Sequence, residues 1–491
     1  MQLAAQLEAS LREFASSSAI EIRENSGRSI SFQGLSWEVR GAPEKPLLHL
    51  WSEQYNLTRR VLAITDRSEA RLALAVERFG RGKPDRLEFV RLDFERPARV
   101  LSREEFCERL RRILSEQFPD ETVTSLTTSP DLEHSLSGNY ARGTLRRGSS
   151  EWGVLAVPDG ESADTLEGSL TFALLWLERL RHSSRRSVTG LRLIIPKGAP
   201  RTVAHRIRAL DPKLPLELYE RDPNNETIHK IDARGAGNVD SWLVPYREAQ
   251  MLLDRALPAL DPLIAIAPRA ISVHPDVAER EVWLRFRGLP MARWEDGRVF
   301  FGLGNAGREL TPVSHPKLVQ LLKSLETHRS PLASDTRHPL YRSQPERWLE
   351  FLVSADVTRI DAALDPRFVY TQVLADTGGE HGILDLLGVT RSGRIAILEL
   401  KANEHIHLPL QAADYWLRIR HHLEQGAFAS YGYFAGLQLQ AAPPIVYLVA
   451  PALRFHPATD ALLRYLAPDL EIVRVGLAEN WRGGLRVAMR Q

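Results

Sequence analysis

The chain has 491 residues, 43 % of them hydrophobic and 26 % charged, with a net charge of +2. This is the make-up of an ordinary globular protein with room for about two to four domains, and its near-neutral balance excludes a global electrostatic argument for nucleic acid. A single cysteine, Cys107, excludes a disulfide framework and a cysteine zinc site. Met1–Glu8 lacks a basic region followed by an apolar run, and no apolar run reaches membrane-span length, so a cytoplasmic location is expected.

In chain order, residues 1–101 read as an N-terminal β-rich module. It carries a Phe32-x-Gly34-Leu35 motif between two apolar stretches, and a hairpin of Leu72–Phe79 with Leu87–Leu92. Residues 102–222 read as an α/β domain: helix Arg103–Leu114, a strand pair within Ala141–Val157, helix Leu166–Arg181, strand Leu191–Pro196, helix Arg201–Leu210 and strand Leu214–Tyr219. Residues 223–339 read as a linker and a second β module, with linkers placed at 222–240 and 329–339. That module repeats the motif as Phe286-x-Gly288-Leu289. Gly302–Gly307 fits GxGxxG, but the following Arg308–Val313 reads as a loop and no βαβ unit surrounds it. It is taken as a glycine-rich turn.

Residues 340–491 form the last domain. Helix Pro345–Val353 precedes Gly382–Val389, a Thr390–Arg394 turn, and Ile395–Lys401. Two apolar strands around a polar turn make a hairpin. Residues two apart on a strand share a face, so Glu399 and Lys401 project together, and Asp385 on the paired strand can reach the same point. Two carboxylates and an ammonium suit a Mg²⁺ or Mn²⁺ site for phosphodiester cleavage. A surface hairpin with a Glu–Lys ion pair would carry the same residues, but charges rarely end such apolar runs without a partner or a role. Next, Leu408–Leu423 reads as a helix with Gln411 and Tyr415 on one face. Strands Ile445–Ala450 and Leu470–Val475 follow, separated by helix Ala458–Leu466.

In Asp385, Glu399, Lys401, Gln411 and Tyr415 the region 340–478 resembles the PD-(D/E)XK nuclease superfamily, in its RecB-like and NucS-like branches. The proline usual before the aspartate is Leu384 here. The resemblance implies a restriction-endonuclease-like α/β fold and a metal-dependent nuclease, most naturally a DNA endonuclease of repair or defence. It implies Glu346 as the helix glutamate, with Glu350 as its rival. Asp385, Glu399 and the Leu400 carbonyl would bind the metal. Lys401 would position the water, and Gln411 and Tyr415 would orient the lysine or a phosphate.

The two halves align as a tandem duplication. Leu384–Lys401 matches Ala141–Pro158, which sets Arg142 at Asp385, Ala156 at Glu399 and Pro158 at Lys401. The first copy would then lack the metal site, and Arg142, Arg146 and Arg147 would form a basic face able to hold phosphate. His405 and His407, with His421 and His422, are expected at the cleft, where phosphate contact competes with plain solvent exposure. Trp348 and Trp416 are assigned to the core, and the Arg181–Arg186 run to solvent. One site per chain would nick a strand, and a double-strand break would take a homodimer. The competing class is a silent or partner-gated nucleic-acid-binding protein on a nuclease fold. Neither a nucleotide cofactor nor a membrane is expected.

Overall fold

The computed structural model describes residues 3–15, 20–24, 29–32, 35–42, 44–51, 56–67, 71–77, 84–91, 102–222, 226–235, 241–277, 279–303, 307–371, 373–375 and 384–491. Gly34, Gly382, Ile383, the 78–83 loop and residues 304–306 of the glycine-rich turn lie outside them. The protein is mixed α/β and divides into two compact units. One comprises Met1–Asp240 with Asp376–Gly382 and Asp460–Ala467; the other comprises Ser241–Ala375, Ile383–Thr459 and Pro468–Gln491. No helix among the described residues is long and apolar enough to cross a membrane.

The first unit opens with helix Leu3–Ala15 and a seven-stranded antiparallel sheet. Leu7, Leu11 and Phe14 of the helix are buried with Leu48, Leu50 and Leu74 of the sheet, the amphipathic pattern of a helix laid on one sheet face. The expected hairpin forms as Arg71–Glu77 against Pro84–Arg91. The Phe32 motif does not form one: its flanking strands, Ser29–Ser31 and Ser36–Ala42, lie at opposite edges of the sheet.

The first α/β core follows. Helix α1 (Arg103–Gln117) starts at a capping box, in which Ser102 Oγ accepts from Glu105 N–H and Glu105 Oε2 accepts from Ser102 N–H. Its sheet runs in the order β1 (Thr122–Thr127), β2 (Ala141–Arg147), β3 (Ser150–Ala156), β4 (Ser187–Pro196), β5 (Leu216–Asp222) and β6 (Thr227–Ile231). Helix α2 (Ala163–Ser183) is the crossover that parallel β3 and β4 require. Residues 227–231, expected in a linker, are the sixth strand, because Thr-Ile-His-Lys-Ile pairs with β5.

The second unit opens with helix Tyr246–Ile264 and a five-stranded antiparallel meander between Ile271 and Glu309. Here Phe286-Arg287-Gly288-Leu289 is a two-residue hairpin, with φ of 43° at Arg287 and 82° at Gly288. A Cβ on Gly288 would lie 2.0 Å from the Arg347 carbonyl oxygen, so only glycine lets this turn seat there. Phe301 pairs with Arg308 on either side of the GxGxxG stretch, whose residues 304–306 lie outside the described ones. The stretch 329–339 is no free linker. Arg329 is fully buried and donates six hydrogen bonds to the carbonyls of Phe286, Arg287, Leu340, Ser343 and Gln344. Its guanidinium also lies 4.8 Å from the Trp348 ring.

The second core repeats the first. Helix α3 (Pro345–Ala355) precedes a sheet ordered β7 (Leu364–Tyr370), β8 (Leu386–Thr390), β9 (Ile395–Leu400), β10 (Ile445–Pro451), β11 (Ile472–Leu477) and β12 (Val487–Arg490). Strand directions match pair for pair: two antiparallel, two parallel, one antiparallel. Helix α4 (Leu408–Glu424) makes the crossover from β9 to β10. Trp348 and Trp416 are core residues, as expected.

Hydrogen bonds shift the sequence alignment by one residue. Val157 N–H donates to Ile194 O as Lys401 N–H donates to Val449 O. Val157 therefore stands at Lys401, Ala156 at Leu400 and Leu155 at Glu399. Arg142 pairs with Leu155 in register and keeps its place at Asp385.

Candidate active site

Strands β8 and β9 pair Leu386 with Leu398, and the same register carried one step further sets Asp385 opposite Glu399. Both strands are buried along their length, so the carboxylates stand at the end of an apolar layer. Asp385 Oδ2 accepts from Leu400 N–H at 2.8 Å. Glu399, 1 % exposed, accepts from Lys401 Nζ at 3.0 Å through Oε1, while Oε2 has no hydrogen-bond partner among the described residues. Burial pushes the Glu399 carboxyl above the usual range; Lys401 opposes this and Asp385 adds to it. Burial also raises Asp385, against Lys401 and Arg347. Burial works against the Lys401 ammonium, but Glu399 and Asp385 outweigh it and hold its pKa high.

Helix α3 contributes from its first two turns, started by Pro345. Glu346 Oε1 accepts from Ala402 N–H and Asn403 Nδ2, both at 3.4 Å, which ties it to the segment after Lys401. Glu350, 2 % exposed, accepts from Arg347 Nη1 at 2.5 Å, and its other oxygen lies 3.8 Å from Arg285 Nη1. The helix thus brings both glutamates to the site: Glu346 acts on Lys401 and Glu350 on Asp385.

Helix α4 supplies Gln411, whose Nε2 donates to Tyr415 Oη at 3.3 Å. Tyr415 is buried within the field of Glu399 and Asp385, and burial keeps its hydroxyl protonated. His405 is exposed in the loop before α4, with its ring 5.6 Å from that of His407. His422 is not at a cleft: it is 6 % exposed and its Nε2 lies 2.7 Å from Ser241 Oγ.

No three His, Cys, Asp or Glu side chains among the described residues form a ready metal cage. Mg²⁺ asks for less, since it keeps several waters and takes one or two carboxylates plus substrate phosphate. Asp385 and Glu399 fit that demand. They are two carboxylates whose pKa burial raises, one with an oxygen that lacks a donor, and a divalent cation answers both faults. Leu400 follows Glu399 in β9, and its N–H donates to Asp385.

The expected basic face of the first core loses a member. Arg142 is 3 % exposed and donates to Ser137 O at 2.7 Å and to Ser129 O, under the Trp176 ring. It fills Asp385's place as an internal brace. Arg146 and Arg147 are exposed, at 3.4 Å from Glu151 and 3.6 Å from Asp120. With Leu155 and Val157 at the other two positions, this core has no carboxylate or ammonium where the second core has its site.

Sequence reasoning missed Arg347 and Arg285. Arg347 carried a signal, its three-residue spacing to Glu350 on a helix. Arg285 carried none, because it comes from the preceding β meander. Compared with protein-family models and with curated proteins, the sequence matches none.

Proposed function

We propose that the second core is a metal-dependent nuclease of restriction-endonuclease-like fold, most naturally a DNA endonuclease, with one active site per chain. The observation that carries this reading is the register that sets Asp385 opposite Glu399, with Lys401 3.0 Å from Glu399 and one Glu399 oxygen unpartnered. A phosphodiester has no easy leaving group, and a buried carboxylate pair with an ammonium suits its hydrolysis. Asp385, Glu399 and the Leu400 carbonyl would hold Mg²⁺ or Mn²⁺, which when bound polarises the phosphate and acidifies a water.

The chain's own groups supply the rest. Lys401 neutralises Glu399 and offers N–H donors to a water or a phosphoryl oxygen. Glu346 holds the backbone after Lys401 in place. Tyr415, protonated and hydrogen-bonded to Gln411, can donate beside Glu399 without adding charge. The first core supports the reading by contrast: it keeps the sheet without these three residues, so the fold does not demand them.

The test is incubation of wild type and Glu399→Ala with labelled single-stranded, duplex and forked DNA in Mg²⁺, Mn²⁺ or EDTA. Metal-dependent cutting that disappears in the variant is expected. Binding without cutting by both proteins would instead favour a partner-gated binding protein.

A further inference from the structure

A phosphodiester entering this site meets Asp385, Glu399, Glu346 and Glu350, and needs a counter-charge with free donors. Lys401 shares its charge with Glu399 and brings a single ammonium rather than a fork, and Arg285 is 8 % exposed with its Nη1 3.8 Å from Glu350. Arg347 differs. Its side chain is 28 % exposed, Nη1 is bound to Glu350, and Nε and Nη2 have no hydrogen-bond partner among the described residues. Its charge acts on Asp385, Glu399 and Tyr415, and it directly follows Glu346, which is hydrogen-bonded to the segment after Lys401.

Its orientation is set from outside the catalytic sheet. Glu350 holds Nη1 at 2.5 Å, and Arg285 of the β meander flanks the other Glu350 oxygen at 3.8 Å. The Gly288 turn of the same meander presses on the Arg347 backbone, which fixes the root of the side chain. A planar guanidinium held by one edge presents its remaining donors to a phosphate as a fork.

We infer that Arg347 binds a phosphate of the nucleic-acid substrate, with Glu350 and Arg285 as its positioning residues. The inference rests on the nuclease reading above and extends it. Arg285 then has a role beyond stability: without it, Glu350 is a buried carboxylate with one partner and draws Arg347 away from substrate.

Fluorescein-labelled single-stranded and duplex DNA would be titrated in Ca²⁺ against wild type, Arg347→Lys, Arg347→Met, Arg285→Met and Arg285→Met/Glu350→Gln. Cleavage of the same DNA is followed separately in Mg²⁺. Arg347→Met should weaken binding about tenfold and flatten the salt slope by about one. Arg347→Lys should keep the slope but lose most of the affinity, since it keeps the charge and loses the fork. Arg285→Met should weaken binding, and adding Glu350→Gln should restore it, which a purely structural role would not produce. Wild-type affinity and salt slope in Arg347→Met, with wild type still cutting, would overturn the clamp alone. A wild type that neither binds nor cuts would overturn the clamp and the nuclease together.

Discussion

Replacing Arg329 by Met should destabilise the second unit more than any exposed change in it. The six hydrogen bonds of Arg329 end on five carbonyls, two in the Phe286–Arg287 hairpin and three in the approach to α3. Methionine fills much of the volume but withdraws the donors; Gln344 O keeps Trp348 N–H, and the other four acceptors cost about 1 kcal/mol each. The contact with Trp348 adds about 1 kcal/mol. Relief from burying a charge offsets about 2 kcal/mol, leaving a loss of about 3 kcal/mol. Burial already pushes the guanidinium pKa down to about 9, so its charge is held at a cost. The assay is guanidinium denaturation followed by tryptophan emission, with Trp348 as a reporter beside the lesion. Arg329→Lys should lose an intermediate amount, because an ammonium has three donors and no fork. A loss below about 1 kcal/mol for Arg329→Met would refute the reasoning, since the carbonyls would then be re-satisfied without it.

Gly288→Val should cost at least about 2 kcal/mol, combining positive φ with a Cβ driven into the Arg347 carbonyl. Nucleic-acid binding should fall with it, and thermal melting with DNA titration reads both. Burial, with His421 and Arg418 adding, pushes His422 down to about 4. The unfolded chain then takes up a proton near pH ~6.5 that the native state refuses, so stability is present above that pH and is lost as pH falls towards about 4. The ceiling is about 3 kcal/mol, and His422→Gln should flatten the denaturation midpoint between neutral and acid pH. Arg142→Leu should lower the melting temperature of the first unit by orphaning the Ser137 and Ser129 carbonyls, with DNA affinity unchanged in a titration.

The elements of both cores were legible because their signals are local. Ile395–Leu400 is an apolar run after a Gly393 turn, and Pro409 marks the start of α4. The meeting of Asp385, Glu399 and Lys401 follows from strand period alone. What was not legible depends on distant partners. Arg142 in an Arg-Gly-Thr-Leu-Arg-Arg strand looks solvent-facing until Ser129 and Ser137 supply carbonyls. The strand Thr227–Ile231 is too polar to announce itself, and it exists because β5 offers an edge. The shared Phe-x-Gly-Leu motif misled: one copy turns a hairpin and the other spans the edges of a sheet. The one-residue slip in the core alignment needed main-chain hydrogen bonds to correct.

The replacement of Asp385, Glu399 and Lys401 by Arg142, Leu155 and Val157 works as a ratchet. Leu155 and Val157 are fully buried, so a lysine alone at 157 inserts an ammonium beside Arg142, and a glutamate alone at 155 forces a carboxylate into a packed interior opposite that arginine. Exchanging Arg142 for aspartate removes the brace on the connection between β1 and β2 before any cation is there to reward it. Every single step back disturbs the packed interior, and none alone assembles the carboxylate pair and ammonium of the second core. If the proposed nuclease reading holds, a lineage that has crossed this point gains a second such site only by making all three changes together.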